Sequence, residues 1–359
     1  MRGACDVPRG FHGARVGTQD RTLSPPGGRG APPRLPAPPR PARAPGAEAG
    51  PGEPSRLLSA LAGMLPGGAG AAGARARGRR GAGRGRRAGR GRRAPPARGL
   101  WALDFDGVLC DSCGESSQSA WRAGAELWPD IFAAPGSGGA EEARVLREMR
   151  EVRPVVETGY ENVVQARLLL EGRTSPEEML GSWGEQLPQY MREWGLERAA
   201  MVELFGRVRD DWMREDLPSW LAANAFYRGV PEALRAADAE GLHIVTTKQA
   251  RFAHALLTER AGVDAVPLDR IFSMTASGLP KTTVLADLQR GAAPGEPLRF
   301  VEDKLSALDK VCADPALADW ELLFVDWGFN TPAERERAAA HPRIRLVGLE
   351  ELCALLGAN

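Results

Sequence analysis

Beyond residue 98 the chain alternates short apolar runs with stretches whose apolar positions recur every three or four residues, and this rhythm predicts its elements. The first run, Trp101-Ala102-Leu103, is continuous rather than alternating, as a strand buried on both faces of a parallel sheet should be. A region without any period-2 segment follows. Its spacing predicts helices over Glu115–Trp128, Ala140–Val152, Gly159–Glu171, Ser175–Trp183, Pro188–Trp194 and Leu196–Met213. From Val230 the pattern changes to strands at 242–246, 270–274, 298–301, 321–325 and 343–347, separated by helices at 232–240, 249–261, 282–290, 305–313 and 331–340. Such alternation means parallel βαβ units. The expected organisation is an α/β sheet built from 99–114 and 228–359, with an all-helical insertion, 115–227, before the second strand.

Residues 1–98 follow neither rhythm. They are rich in Gly, Pro, Ala and Arg and hold almost no aromatic or β-branched residues, so they cannot offset the entropy of ordering and are expected to be disordered. Only Leu57 to Leu65 offers a short amphipathic turn. This leader has 20 Arg, no Lys and four acids, a net +16, whereas the whole chain is +1, so the body carries −15. An acidic body is not a nucleic-acid surface. An Arg-rich, acid-poor leader suits an organelle transit peptide, and the Gly-Arg repeat from Arg75 to Arg93 leaves a nucleic-acid-binding arm as the competing use. No apolar run reaches the roughly 18 residues of a membrane span.

Chemistry enters at the end of the first run, Asp104-Phe105-Asp106-Gly107-Val108. Were the strand to continue through both acids, positions i and i+2 would put them on one face. Two carboxylates buried together expect Mg²⁺, a phosphate or a cationic side chain beside them. Gly107 permits a sharp turn that leaves them at the carboxyl end of the strand, where open α/β sheets bind ligands. Three later segments sit at predicted strand or loop ends: Thr246-Thr247-Lys248, Gly278-Leu279-Pro280-Lys281 and Glu302-Asp303-Lys304. The body has four Lys, and three of them fall in these segments. The five cysteines form no disulfide framework; Cys110 and Cys113 make a C-x-x-C without further metal-spaced ligands, which leaves two small buried residues or a redox pair.

These segments, in this order, resemble the haloacid dehalogenase (HAD) superfamily of Mg²⁺-dependent phosphohydrolases. Asp104-Phe105-Asp106-Gly107-Val108 stands for its first motif, Thr246 for the second, Lys281 for the third and Glu302-Asp303 for the fourth, separated by 142, 35 and 22 residues. The spacing is similar to members with a large helical cap between the first two motifs. Phe226-Tyr227-Arg228-Gly229-Val230, then Leu234, resembles phosphoglycolate phosphatase-like members, and the stretches 153–162 and 301–304 look like a plant-type, organelle-directed branch. The resemblance implies a Rossmann-like parallel sheet of the HAD type with an inserted helical cap, a plastid or else cytoplasmic location, and a monomer or homodimer acting on a small phosphorylated metabolite. It further implies Asp104 as nucleophile, Asp106 as acid and base, Thr246 and Lys281 as holders of the phosphoryl group, and Mg²⁺ held by Asp104, Asp106 (through its carbonyl), Asp303 and Glu302.

Ala307 stands where a further acid would follow Asp303, so Glu302 becomes the second acid of that motif. The retained Asp106 points away from dehalogenation and phosphonate cleavage. Thr247 and Lys248, with Arg251, are placed to touch substrate or to serve on the surface. Arg153, Glu157, Tyr160 and Glu161, with Arg167 beyond, either face the site or form a solvated helix face; His243 belongs to the core or an edge. Two other functions stay open at this point: a phosphomutase on the same scaffold, and a binding protein that works through the Arg-Gly leader.

Overall fold

The computed structural model describes residues 99–133, 136 and 138–357. The leader, its Leu57–Leu65 turn, the Arg75–Arg93 repeat and Cys5 lie outside the described residues. Strand β1 (Leu100–Leu103) leads into a two-residue strand β2 (Cys110–Asp111). Six helices follow: α1 (Cys113–Leu127), α2 (Pro129–Phe132), α3 (Ala140–Val152), α4 (Glu161–Leu170), α5 (Pro176–Glu193) and α6 (Arg198–Ala222). The second short strand, β3 (Ala225–Phe226), pairs antiparallel with β2. The remainder runs α7 (Val230–Ala236), β4 (Leu242–Thr246), α8 (Ala250–Ala255) with one π turn after it, β5 (Ile271–Ser273), α9 (Met274–Ser277) and α10 (Lys281–Gly291). It closes with β6 (Leu298–Glu302), α11 (Leu305–Cys312), β7 (Trp320–Val325), α12 (Pro332–Ala340), β8 (Ile344–Val347) and α13 (Leu349–Gly357).

The sheet is parallel throughout, in the order β5-β4-β1-β6-β7-β8. All four residues of β1 are buried, which is the both-faces burial that its unbroken apolar run calls for. Alternate residues feed two cores. Trp101, Leu103, Leu242, Ile244 and Val301 pack against α7, α8 and α13, while Ala102, Val245, Leu298 and Phe300 pack against α10, α11 and α12. Chain order reverses around β1, whose neighbours β4 and β6 lie on opposite sides, so a crevice opens at the strand carboxyl ends.

The helices between β2 and β3 enclose a third core, from Ala120 through Met149, Leu168 and Trp183 to Val208. Helix α6 crosses between cores: Met201 to Val208 belong to the third, whereas Trp212 and Trp220 pack with the sheet. The packing therefore does not divide where the change of sequence rhythm does. Two expected helices, Ser175–Trp183 and Pro188–Trp194, are one element, α5, kinked at Ser182 (φ −144°). Among the described residues no helix is long and apolar enough to cross a membrane.

Candidate active site

Strand β1 stops at Leu103, so Asp104 and Asp106 stand in the loop beyond it rather than on one strand face. The Asp104 N–H still donates to the Val301 carbonyl, at 3.0 Å, which seats its side chain beside the end of β6. Gly107, with φ +84°, makes the turn; a Cβ there would overlap the Asp303 carboxylate and approach the Phe329 ring, so the position takes only glycine. The two acids find different partners across this turn.

Asp104 joins a cluster. The Lys281 Nζ, at the first turn of α10, lies 3.1 Å from Asp104 Oδ1 and 2.7 Å from Glu302 Oε2. Asp104, Glu302 and Asp303 each offer an oxygen within 4.8 Å of the others, all three residues being buried. Asp303 is fixed by the Phe329 N–H, which donates to its Oδ2 at 2.7 Å. Burial pushes the Glu302 carboxyl up to about 8, against the opposing pull of Lys281 and with the help of Asp104 and Asp303. Burial likewise raises Asp303, to about 6, against Lys304. Burial works to lower Lys281, but Asp104 and Glu302 outweigh it and hold its ammonium above the ordinary lysine value. Three buried carboxylates facing one lysine leave an excess of negative charge. A compact cation with a preference for hard oxygen ligands fits that excess, and all the donors here are carboxylate oxygens.

Asp106 adds no carboxylate to this cluster. Its Oδ1 accepts from Lys248 Nζ at 3.2 Å. Burial raises the Asp106 carboxyl, yet Lys248, Arg153 and Arg209 together hold it below the usual aspartate value. Lys248 is 4% exposed and pairs with Glu115 as well as Asp106, so it is no surface residue; with Thr247 and Arg209 it lines a small pocket beside Asp106. Thr246, at the end of β4, is fully buried and does not line the cavity described next; its hydroxyl accepts from the Lys248 N–H at 3.1 Å. The Thr247 hydroxyl donates to the Glu157 carbonyl.

A cavity of about 210 Å³ opens onto Asp104, Asp106, Thr247, Lys281, Glu302 and Asp303, so six of the eight expected site residues share one space. Residues of the inserted segment line it as well. Arg153 and Glu157 line it, the Arg153 guanidinium lies 4.2 Å over the Phe329 ring, and Lys304 bonds the Pro154 carbonyl. Glu161 is not on a solvated face: it is buried, accepting from the Trp183 indole and the Thr158 N–H. Arg167 stacks on Trp128 and Trp194, and Arg251 pairs with Asp210 at the surface. His243 stacks on Phe272. Both Cys110 and Cys113 are buried free thiols, and burial raises each above the ordinary thiol value, so neither is a ready thiolate.

Sequence spacing gave no hint of Glu115 and Arg209. Glu115 is fully buried at the start of α1, and Arg209, on α6, grips it with two hydrogen bonds of 2.7 and 2.9 Å. They lie 94 residues apart, each inside an ordinary charged helical pattern.

Neither a scan of protein-family models nor a search of curated proteins found a match to this chain. Solved structures do match. A predicted phosphatase from Clostridium acetobutylicum is 13% identical, with 73% of this chain and 99% of the other covered and a TM-score of 0.44. A haloacid dehalogenase-like family hydrolase from Streptococcus pneumoniae is 13% identical, with 72% and 97% covered and a TM-score of 0.43. A HAD family hydrolase from Deinococcus radiodurans, with phosphate and sodium bound, is 16% identical, with 73% and 97% covered and a TM-score of 0.38.

Proposed function

We propose that the protein is a Mg²⁺-dependent phosphohydrolase of the haloacid dehalogenase type, cleaving a small phosphorylated metabolite through an aspartyl-phosphate at Asp104. One observation carries this reading: a carboxylate at the tip of the central strand is flanked by a lysine and two further acids on one side, with a second aspartate two residues on, and all of them open onto a single cavity.

The roles follow from the contacts. Asp104 attacks phosphorus, and the ester P–O bond breaks with its electron pair on the leaving oxygen. Asp106, ionised at rest, relays the proton of the monoanionic ester to that oxygen, then takes one from the water that hydrolyses the aspartyl-phosphate. Lys281, already against Asp104, holds the phosphoryl oxygens as charge builds on them. Thr246 acts from beneath: its hydroxyl fixes the main chain at Lys248 and keeps its own proton to donate. Asp104, Glu302 and Asp303, with the main-chain carbonyl of Asp106, are the groups that would hold Mg²⁺. Bound there, the ion supplies the positive charge that lets a carboxylate approach a phosphate anion.

The test is release of inorganic phosphate from p-nitrophenyl phosphate. The expected result is turnover that needs Mg²⁺, is abolished in Asp104→Asn and falls about 10²- to 10³-fold in Lys281→Met. Activity that survives Asp104→Asn would overturn the reading. Isomerisation of a sugar phosphate without net phosphate release would replace it with a mutase.

A further inference from the structure

The four charges around Asp106 form a line that runs from the interior to the cavity. At its inner end Glu115 has both oxygens occupied: Oε1 accepts from Arg209 Nε at 2.7 Å and from the Ser119 hydroxyl at 2.7 Å. Oε2 accepts from the second Arg209 nitrogen at 2.9 Å and stands 3.5 Å from Lys248 Nζ. Lys248 Nζ then meets Asp106 at 3.2 Å. The side chains of Glu115, Lys248 and Arg209 are 0%, 1% and 6% exposed, whereas that of Asp106 is 15% exposed and faces the cavity. Two cations and two anions cancel, and Asp106 is the most exposed member of the line.

Stability alone does not account for such a line. Desolvating four charges is costly, and apolar side chains of equal volume commonly serve as well or better. What the line does is hold one carboxylate still. Asp106 sits beyond the end of β1 with its main chain bridged to Cys110, and the hydrogen bond from Lys248 holds its side chain. We propose that Lys248, clamped by Glu115 and Arg209, positions the Asp106 carboxyl for proton transfer to the leaving oxygen. Glu115, Arg209 and Lys248 are thus positioning residues, two of them supplied by the inserted helices. The inference rests on the phosphohydrolase reading. The ester enters as its monoanion; as Asp104 bonds to phosphorus and the P–O bond breaks, the phosphate's own proton passes through the Asp106 carboxylate, held by Lys248, to the departing oxygen, the alcohol leaves neutral, and Asp106 ends as the carboxylate it began as.

The experiment compares kcat/KM for two esters with the full chain in Mg²⁺. The p-nitrophenolate leaves without a proton, whereas the alkoxide of benzyl phosphate needs one. In Glu115→Gln, benzyl phosphate hydrolysis should fall about 10²-fold, and p-nitrophenyl phosphate far less, the same bias that Asp106→Asn should give. Lys248→Met carries the same test if Glu115→Gln does not fold, as judged by circular dichroism. Equal losses for the two esters, or no loss, overturn the positioning role while leaving the phosphatase intact. If the wild-type chain hydrolyses neither ester, both proposals fall together.

Discussion

At the scale of single residues, the cluster around Asp104 is held together against its own charge. Glu302 is pushed up to about 8 by burial, with Asp104 and Asp303 beside it, so the fold favours its protonated form. A raised carboxyl contributes stability that is complete below its usual value of 4.5 and is lost as the pH climbs through the folded value. In EDTA, the urea midpoint of the protein should therefore decline between about pH 5 and pH 8. Adding Mg²⁺ should remove most of that decline, because a bound cation stabilises the ionised acids by mass action. A midpoint that is flat in EDTA, or indifferent to Mg²⁺, would count against the cluster as a cation site. Asp106 and Glu115 shift the other way and stay ionised through this range, so they do not blur the measurement.

At the scale of elements, the inserted helices show which signals a sequence transmits. Helix α6 breaks at Asp216 (φ −152°), whose carboxylate accepts from the Ser219 N–H, a new N-cap beside Pro218. Asp216→Ala should cost about 1 kcal/mol of unfolding free energy in urea titration; an unchanged midpoint would mean that the break is set by Pro218 alone. Elements with strong local patterning were legible: the buried run of β1, the apolar strands β4 and β6, and the acids and hydroxyls at their ends. The pairing of β2 with β3 was not, since two-residue strands carry no period. Nor was the tie between Glu115 and Arg209, since a contact across 94 residues leaves no trace in local spacing. Helix α13 also went unread, a short apolar stretch after the last strand.

At the scale of the whole molecule, the insertion and the sheet are not independent bodies. Trp212, 1% exposed, belongs by sequence to the helical segment and by packing to the sheet. Trp212→Ala should cost about 3–5 kcal/mol and lower the midpoint of both parts in one transition, read by far-UV circular dichroism and by tryptophan fluorescence. Two separated transitions would show that the segments unfold apart.

The short ribbon of β2 and β3 has a consequence for how such a chain can change over time. Cys110 faces Phe226 and Asp111 faces Ala225, so the outgoing and returning strands of the insertion are hydrogen-bonded neighbours. The gap between those two ends is thereby set by the ribbon itself, whatever is threaded through it. Segments between the two strands can be lengthened, shortened or rewritten without changing that gap, so long as Glu115 and Arg209, which tie the insertion to Lys248, are kept.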